Sequence, residues 1–539
     1  MVIFMKEAYL APGIALCSDT YYRFDGDILD VSLSDTQHIT DRTYLSLTAF
    51  HRGCLDTAFY LHHLKNVVLD FGGATLYLRG RLQPFILDGC ENVTIRNVTV
   101  EYDRAFYSEF DVVSNTNGEL RLHCRPNFPC RVENGYLIPY ANTWENRTLH
   151  IGDMFVQAFD RETREEAGWT VAAIGEEIKL KDTPPCHVEH LRVREEDGDI
   201  VLLGTVPAHW NDSHIVALSH ETRDKSSAFL CRSKNITIEN YRILNGAGYG
   251  ITSMYCENIK IDGLKLTHDE RSHGILANSA DAIHLIATKG HIEIVNSVIE
   301  GMFDDALNIH TNFYLAHGVQ DGKLCAYKGP ESYFCDAYYQ IFGPGDVIRI
   351  TRGQTLEEKC TCRIRSIEVV DACNVLLETD GDPACVEYGD LIENLSTQPS
   401  VRIADSRFGC AISHLRLQTR GAVIVENCVT ALPLLFTGDT TYWFEASPNE
   451  HAIVRGNRFV GGRARVAATP EYRASEAAPY YHRGIAVVNN VFDSALAMTA
   501  HDSADITFTG NTCSDGTTVL QVHLERCGGE LLLDGCIEG

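Results

Sequence analysis

The sequence predicts an all-β fold, a right-handed parallel β-helix with inserted β-barrel-like domains, and three observations predict it. A short strand rich in β-branched residues and closed by Asn or Gly recurs along the chain. Its copies lie about one coil apart: Asn235 to Asn258 is 23 residues, Asn427 to Asn457 is 30, and Asn490 to Asn511 is 21. No 3.6-residue apolar period is visible, which argues against the helical solenoids.

Residues 1–60 carry little pattern and read as an N-terminal β cap over the first coil. The first part of the helix covers 61–109 and 233–311. Its clearest copies are CENVTIRN at Cys90–Asn97, KNITIEN at Lys234–Asn240, ENIKIDG at Glu257–Gly263 and GHIEIVN at Gly290–Asn296. Between those two blocks, over 110–232, the pattern disappears, and LRLH from Leu120 and IKLK from Ile178 suggest short antiparallel strands. A second interruption, 312–398, contains GDVIRITRG at Gly345–Gly353 and reads the same way. Both are expected to be β domains grown from loops of the helix. The C-terminal part of the helix, 399–539, repeats at Gly421–Asn427, His451–Asn457, Gly484–Asn490 and Asp505–Asn511. Asn and Gly at strand ends suit left-handed turns, and stacked coils let Asn amides form ladders. Asn92, Asn97 and Asn235 match glycosylation sequons, but ladder or turn roles fit them better.

The formal net charge is −27. So acidic a surface repels phosphate backbones and anionic lipid, which argues against nucleic-acid and membrane partners. It also favours a neutral sugar over a polyanionic polysaccharide. No stretch approaches the length of a membrane span; the longest obvious apolar run is Ala431 to Phe436. Lys6 and Glu7 break the first apolar run too early for a signal-peptide core, so the chain as written is expected to be cytoplasmic, or secreted or periplasmic if a signal was trimmed. The 19 cysteines are odd in number and lack CxxC spacing, against a disulfide framework or a zinc cage. Cys90, Cys256 and Cys428 sit beside strand turns and read as core or turn residues.

The chemistry concentrates in SADAIH at Ser279–His284 and GMFDDALNIH at Gly301–His310. Asp281 and Asp304 are 23 residues apart, one coil by the spacing above, so they should stack nearly in register. With Asp305 they form a dense carboxylate cluster, and like charges at close range raise the pKa of at least one member. That would put a proton donor beside a charged base, as glycosidic cleavage requires. For both members of the Asp304–Asp305 pair to serve one site, the chain must bend there, because neighbours on an extended strand point apart. His284, Asn308 and His310 stand close by. GDTTYWFE at Gly438–Glu445 offers Asp439, Trp443 and Glu445 as a stacking surface and hydroxyl acceptors. Arg420, Asp103 and Arg271 are further candidates for substrate contact, each with an alternative as solvated surface or a local ion pair. No loop has EF-hand or RTX spacing, so a metal ranks below acid–base chemistry.

Taken in order and spacing, the stretches Gly80–Asn97, Asp281–His284, Asp304–His310, Thr419–Gly421 and Gly438–Glu445 resemble glycoside hydrolase family 110. The resemblance implies a β-helix with inserted barrels and an enzyme that removes terminal α-1,3-linked galactose from oligosaccharides or glycans with inversion. It implies Asp304 as general acid, Asp305 and Asp281 as the acids that hold and deprotonate water, and no metal or organic cofactor. Ala306 and Thr311 stand where the family pattern favours Gly, which would narrow the floor of the site slightly. The readings that compete are another β-helix carbohydrate enzyme, a polygalacturonase-like hydrolase or a lyase, and a non-catalytic glycan-binding β-helix. Side-by-side packing of such helices is compatible with a homodimer.

Overall fold

A computed structural model describes the chain except for residues 1–4, 41–54, 142–153, 175–187, 221–224, 269–273, 328–340, 354, 372–373, 412–413, 441–442, 472–479 and 539. The fold is the parallel β-helix that the sequence predicts, and no α-helix occurs among the described residues. Each coil lays one strand on each of three faces. The first face stacks Lys65–Asp70, Glu91–Tyr102, Lys234–Ile243, Glu257–Asp262, Lys289–Val295 and Ser400–Ala404, and continues to Gly528–Leu533. A short second face follows, with Lys265–Leu266, Val298–Met302 and Arg407–Ala411 in parallel. The third face stacks Gly248–Met254, Ile283–Ile286, Leu307–Gln320, Leu415–Leu417 and Leu434–Phe436.

The recurring strand explains the stack. Its alternate residues point inward, so Ile236, Ile259, Ile292 and Val401 lie one above another in the core, as do Ile238, Ile261, Ile294 and Ile403. Each buried branched side chain contributes about 1.5–3 kcal/mol against leaving it in water. The closing Asn residues do what their position predicts. Asn92, Asn235 and Asn258 all take positive φ, and their side chains form a ladder with Asn66 at 2.9 Å per rung. A second, buried ladder links Asn457, Asn490 and Asn511 at 3.0 Å. The cysteines beside the turns are buried, and Cys90 donates its thiol to the Leu61 carbonyl at 3.3 Å.

The N-terminal segment differs from a separate cap. Lys6–Tyr9 and Thr20–Arg23 already pair in parallel, and Thr20–Arg23 continues onto Lys65–Asp70. These rungs were hard to see because they lack the Asn and Gly punctuation of later coils.

Two closed barrels grow from the helix. The first has seven strands among the described residues between Tyr107 and Ser219. The second is built on Leu307–Gln320, which begins as a third-face rung and ends as a barrel strand. Its partners there are Lys323–Tyr327 and Leu391–Asn394. One continuous strand therefore joins the second barrel to the face that carries the site.

Candidate active site

The site forms where the chain passes from the second face to the third. Val298–Met302 ends one face and Leu307 opens the next, and the chain bends at Phe303, Asp304 and Ala306. Gly301 permits the approach to this bend. It has φ +78°, and a Cβ there would meet the Ile275 carbonyl oxygen at 2.6 Å. The bend frees Asp304 and Asp305 from the strict alternation of a strand.

The coil step here is 24 residues: Ile283 lies opposite Leu307 and His284 opposite Asn308. Asp305, and not Asp304, is therefore the neighbour of Asp281, and the Asp305 carbonyl accepts the Ala282 N–H at 3.0 Å. The 23-residue step expected from the sequence is one short: the 24-residue step already holds ahead of the bend, where Asn278 pairs with Met302. Asp281 and Asp305 are 2% and 4% exposed, whereas Asp304 is half-buried. Asp304 Oδ1 accepts the Asp305 N–H at 3.0 Å.

The outer side of the third face supplies the next row. Thr252, His284, Asn308 and Arg416 stand in register on successive coils. Arg416 Nε lies 3.0 Å from Asp305 Oδ2, and the His414 N–H donates to Asp305 Oδ1 at 2.9 Å. Asp281 Oδ2 is 2.8 Å from His284 Nδ1, and His284 Nε2 is 2.9 Å from His310 Nε2. His310 Nδ1 lies 2.7 Å from the Thr311 carbonyl. Glu445 closes the row. It accepts from Asn308 Nδ2 at 3.3 Å and from Gln418 Nε2 at 3.0 Å, with His310 Nε2 at 3.6 Å.

Burial pushes the Glu445 carboxyl up, but His310, Arg416, His284 and the Gln418 amide more than offset it and hold it at about 2. Burial, with Arg416, Arg463 and Arg465 nearby, pushes the His414 imidazole down to about 4. Burial lowers Arg416, yet Asp305 and Glu445 prevail and raise it above its ordinary value. Solvent reaches the site at Asp304, at Arg416 (side chain 21% exposed) and at His414 (32%).

The remaining sequence candidates fall in different places. Asp439 supports the turn that delivers Trp443 and Glu445: its side chain accepts the Trp443 N–H and its own N–H donates to the Glu445 carbonyl at 2.9 Å. Trp443 is half-buried. Arg420 is engaged elsewhere, with Glu393 at 2.8 Å and with Glu450, and so clasps the second barrel to the helix. Asp103 lines a separate hollow of about 340 Å³ with Tyr77, Glu101, Phe128 and Tyr140, which none of the three clustered aspartates lines. Arg271 lies outside the described residues. The Ala306 methyl joins the hydrophobic core and does not narrow the floor of the site. Thr311 is 1% exposed, its hydroxyl 3.0 Å from that of Thr397.

Arg416, Gln418 and His414 were missed in the sequence. The signal exists in HLRLQ at His414–Gln418, where Leu415 and Leu417 point inward and the polar residues outward. It becomes readable only once the second insertion is cut out, which restores the coil step from Asn308. For a metal, His284, His310 and Glu445 place one donor each within 4.8 Å of one another, so a cation could be held there.

Fold and site together define a class: a parallel β-helix with a carboxylate-lined turn, the design of a glycoside hydrolase. The chain is 24% identical to alpha-1,3-galactosidase B of Bacteroides thetaiotaomicron over 534 residues, covering 93% of this chain and 83% of that one. It is 26% identical to alpha-1,3-galactosidase A of Bacteroides fragilis over 503 residues, covering 87% and 78%. These relatives bear out the resemblance to glycoside hydrolase family 110. No family model matches the chain. Among solved structures, a polygalacturonase from Erwinia carotovora ssp. carotovora is similar at 8% identity and a TM-score of 0.34, covering 99% of this chain and 86% of that one.

Proposed function

We propose that the protein removes terminal α-1,3-linked galactose from neutral oligosaccharides or glycans, with inversion at the anomeric carbon. The observation that carries this reading is the gathering of Asp281, Asp304 and Asp305 at one bend on neighbouring coils, beside the polar row of His284, Asn308 and Arg416. Adjacent parallel strands lie about 4.8 Å apart, so Asp281 and Asp305 are within reach of one water molecule.

Asp304, the most exposed of the three, is the general acid that protonates the leaving oxygen. Asp305, ion-paired with Arg416, and Asp281, whose Oδ2 lies 2.8 Å from His284 Nδ1, orient the water and take its proton. An inverting enzyme needs acid and base far enough apart to admit that water. Glu445, Asn308, His310 and Gln418 form a continuous set of donors and acceptors suited to sugar hydroxyls, and Trp443 offers a ring to stack on a sugar face. Asp439 acts by holding the turn that presents Trp443 and Glu445. The relatives' names point to the same substrate class.

The test is hydrolysis of an α-1,3-galactosyl disaccharide followed by anomer-resolved proton NMR. β-Galactose should appear first. First appearance of α-galactose would overturn the inverting mechanism, and no release of galactose would overturn the activity. Asp304→Asn, Asp305→Asn and Asp281→Asn should each lower the rate by about 10²–10⁴, the usual contribution of a general acid or base.

A further inference from the structure

The first inserted barrel sits beside the catalytic bend, and three of its side chains reach into the helix. Glu109, on the strand Tyr107–Thr116, is fully buried. Its Oε1 accepts the N–H groups of Ile275 and Leu276, both at 2.9 Å, and its Oε2 accepts Ile275 again at 3.1 Å. Arg125 lies 3.2 Å from Oε2. The Tyr107 hydroxyl donates to the Leu276 carbonyl at 2.7 Å. Gln157 donates from Nε2 to the Phe303 carbonyl at 3.2 Å. Ile275, Leu276 and Phe303 also pack into one apolar cluster with Tyr107 and Phe159 of the barrel.

These contacts fall on the backbone just ahead of the clustered aspartates. Phe303 immediately precedes Asp304. From Leu276 a chain of hydrogen bonds runs on to Asp281. The Ala277 N–H donates to the Gly301 carbonyl at 2.7 Å, and Asn278 Nδ2 donates to the carbonyls of Ala280 and Asp281 at 3.2 and 2.9 Å. Buried backbone N–H groups need acceptors, and a neutral side chain could serve. A carboxylate that takes two successive N–H groups is about twice as strong an acceptor and fixes both in one geometry. Burial pushes the Glu109 carboxyl up, against the Leu276 N–H, Arg125 and the Ile275 N–H, so placing a carboxyl here to hold a loop is costly and needs a reason beyond covering the loop.

We propose that Glu109, Tyr107 and Gln157 are positioning residues, through which the first barrel sets the Asp281 and Asp304 carboxylates at their working separation. The barrel is then part of the catalytic apparatus and not an appendage of the helix. This inference rests on the roles given above to Asp281 and Asp304.

Glu109→Gln keeps the shape and one acceptor, and puts an amide N–H where Oε2 met Arg125 and Ile275. Tyr107→Phe removes one hydroxyl. Measured on the α-1,3-galactosyl disaccharide, Glu109→Gln should lower kcat between about tenfold and 10²-fold, the scale set by ångström-sized misplacement, while KM stays within about twofold. Tyr107→Phe should lower kcat less, in the same pattern. Hydrogen exchange at the amides of residues 274–282 should quicken in both; the thermal midpoint should stay near wild type in Tyr107→Phe and fall in Glu109→Gln, where Arg125 loses its buried partner, so kcat is taken per folded molecule. A wild-type kcat in both variants while those amides exchange faster overturns the proposal. So does a lowered thermal midpoint with unchanged kcat per folded molecule, which marks a purely structural contact. If the wild type releases no galactose, the functional reading falls and this inference with it; normal wild-type turnover with unaffected variants sinks only the positioning role.

Discussion

Arg416 dominates the electrostatics of the site at the scale of single residues. It gives Asp305 a counter-charge at 3.0 Å and lies 4.0 Å from Glu445. Arg416→Met keeps much of the stem but leaves a buried carboxylate with no guanidinium. Removing one partner of a buried pair costs about 3–5 kcal/mol, so the variant should unfold at markedly lower urea, and hydrolysis should fall with it. A urea midpoint and a rate both equal to wild type would show the pair to be dispensable. The two histidines pose a different question. His284 Nδ1 lies 2.8 Å from Asp281 Oδ2 and His310 Nδ1 2.7 Å from the Thr311 carbonyl, and the 2.9 Å contact between the Nε2 atoms is bridged either by a shared proton or by an ion. Glu445 lies beside them, and its oxygens already accept from Asn308 and Gln418. The expectation is therefore a proton-linked pair. Exhaustive dialysis against EDTA should leave the hydrolysis rate unchanged, and elemental analysis should find no stoichiometric divalent metal. A rate that collapses on chelation and returns with zinc would assign the triad to a cation.

At the scale of elements, the coil is stabilised by its turns as much as by its apolar rungs. Asn490 is fully buried; its Oδ1 accepts both the backbone and side-chain N–H of Asn457, and its Nδ2 donates to the Val454 carbonyl at 2.9 Å. Asn490→Ala strips these partners while the neighbours remain buried, so two or more polar groups lose their hydrogen bonds. At about 1–3 kcal/mol for each group left unpaired, a loss of several kcal/mol should appear in urea unfolding. Asn92→Ala, in the more exposed ladder, should cost far less. The same turns made the helix readable from sequence, because a left-handed residue at a fixed step is a local signal that survives without homologues. The stacking of an aspartate on Asp281 was readable from the coil step, though the neighbour is Asp305 and not Asp304. Arg416 was not, because the second barrel separates it from Asn308 in sequence although the two strands are adjacent in space. The off-by-one register between Asp281 and Asp304 arises because coil length varies: the step from Ile236 to Ile259 is 23 residues, and the step from Ile283 to Leu307 is 24.

At the scale of the whole molecule, the two barrels were visible in the sequence as loss of the repeat and a few short antiparallel strands, but not as closed barrels, since closure depends on pairings between distant strands. Their attachment is specific side-chain chemistry. In the second barrel Glu393, 1% exposed, is held by Arg349 at 2.8 Å and by Arg420 of the helix at 2.8 and 3.1 Å. Burial pushes the Glu393 carboxyl up, and the Arg420 and Arg349 guanidiniums overcome it and hold it at about 2, below its ordinary 4.5. A depressed carboxylate contributes stability that is complete above the unfolded value and disappears as pH falls toward the folded one. The clasp should therefore be intact above pH 4.5 and lose about 3 kcal/mol between 4.5 and about 2. Glu393→Gln removes this titration at the cost of leaving two arginines facing a neutral amide. The variant should be less stable than wild type at pH 7, and the gap should narrow as the solution is taken below pH 4.5. Thermal midpoints recorded across that range for both proteins decide it. A gap that stays constant with pH would mean that the second barrel is held by its shared strand, Leu307–Gln320, and owes nothing to the Glu393–Arg420 pair.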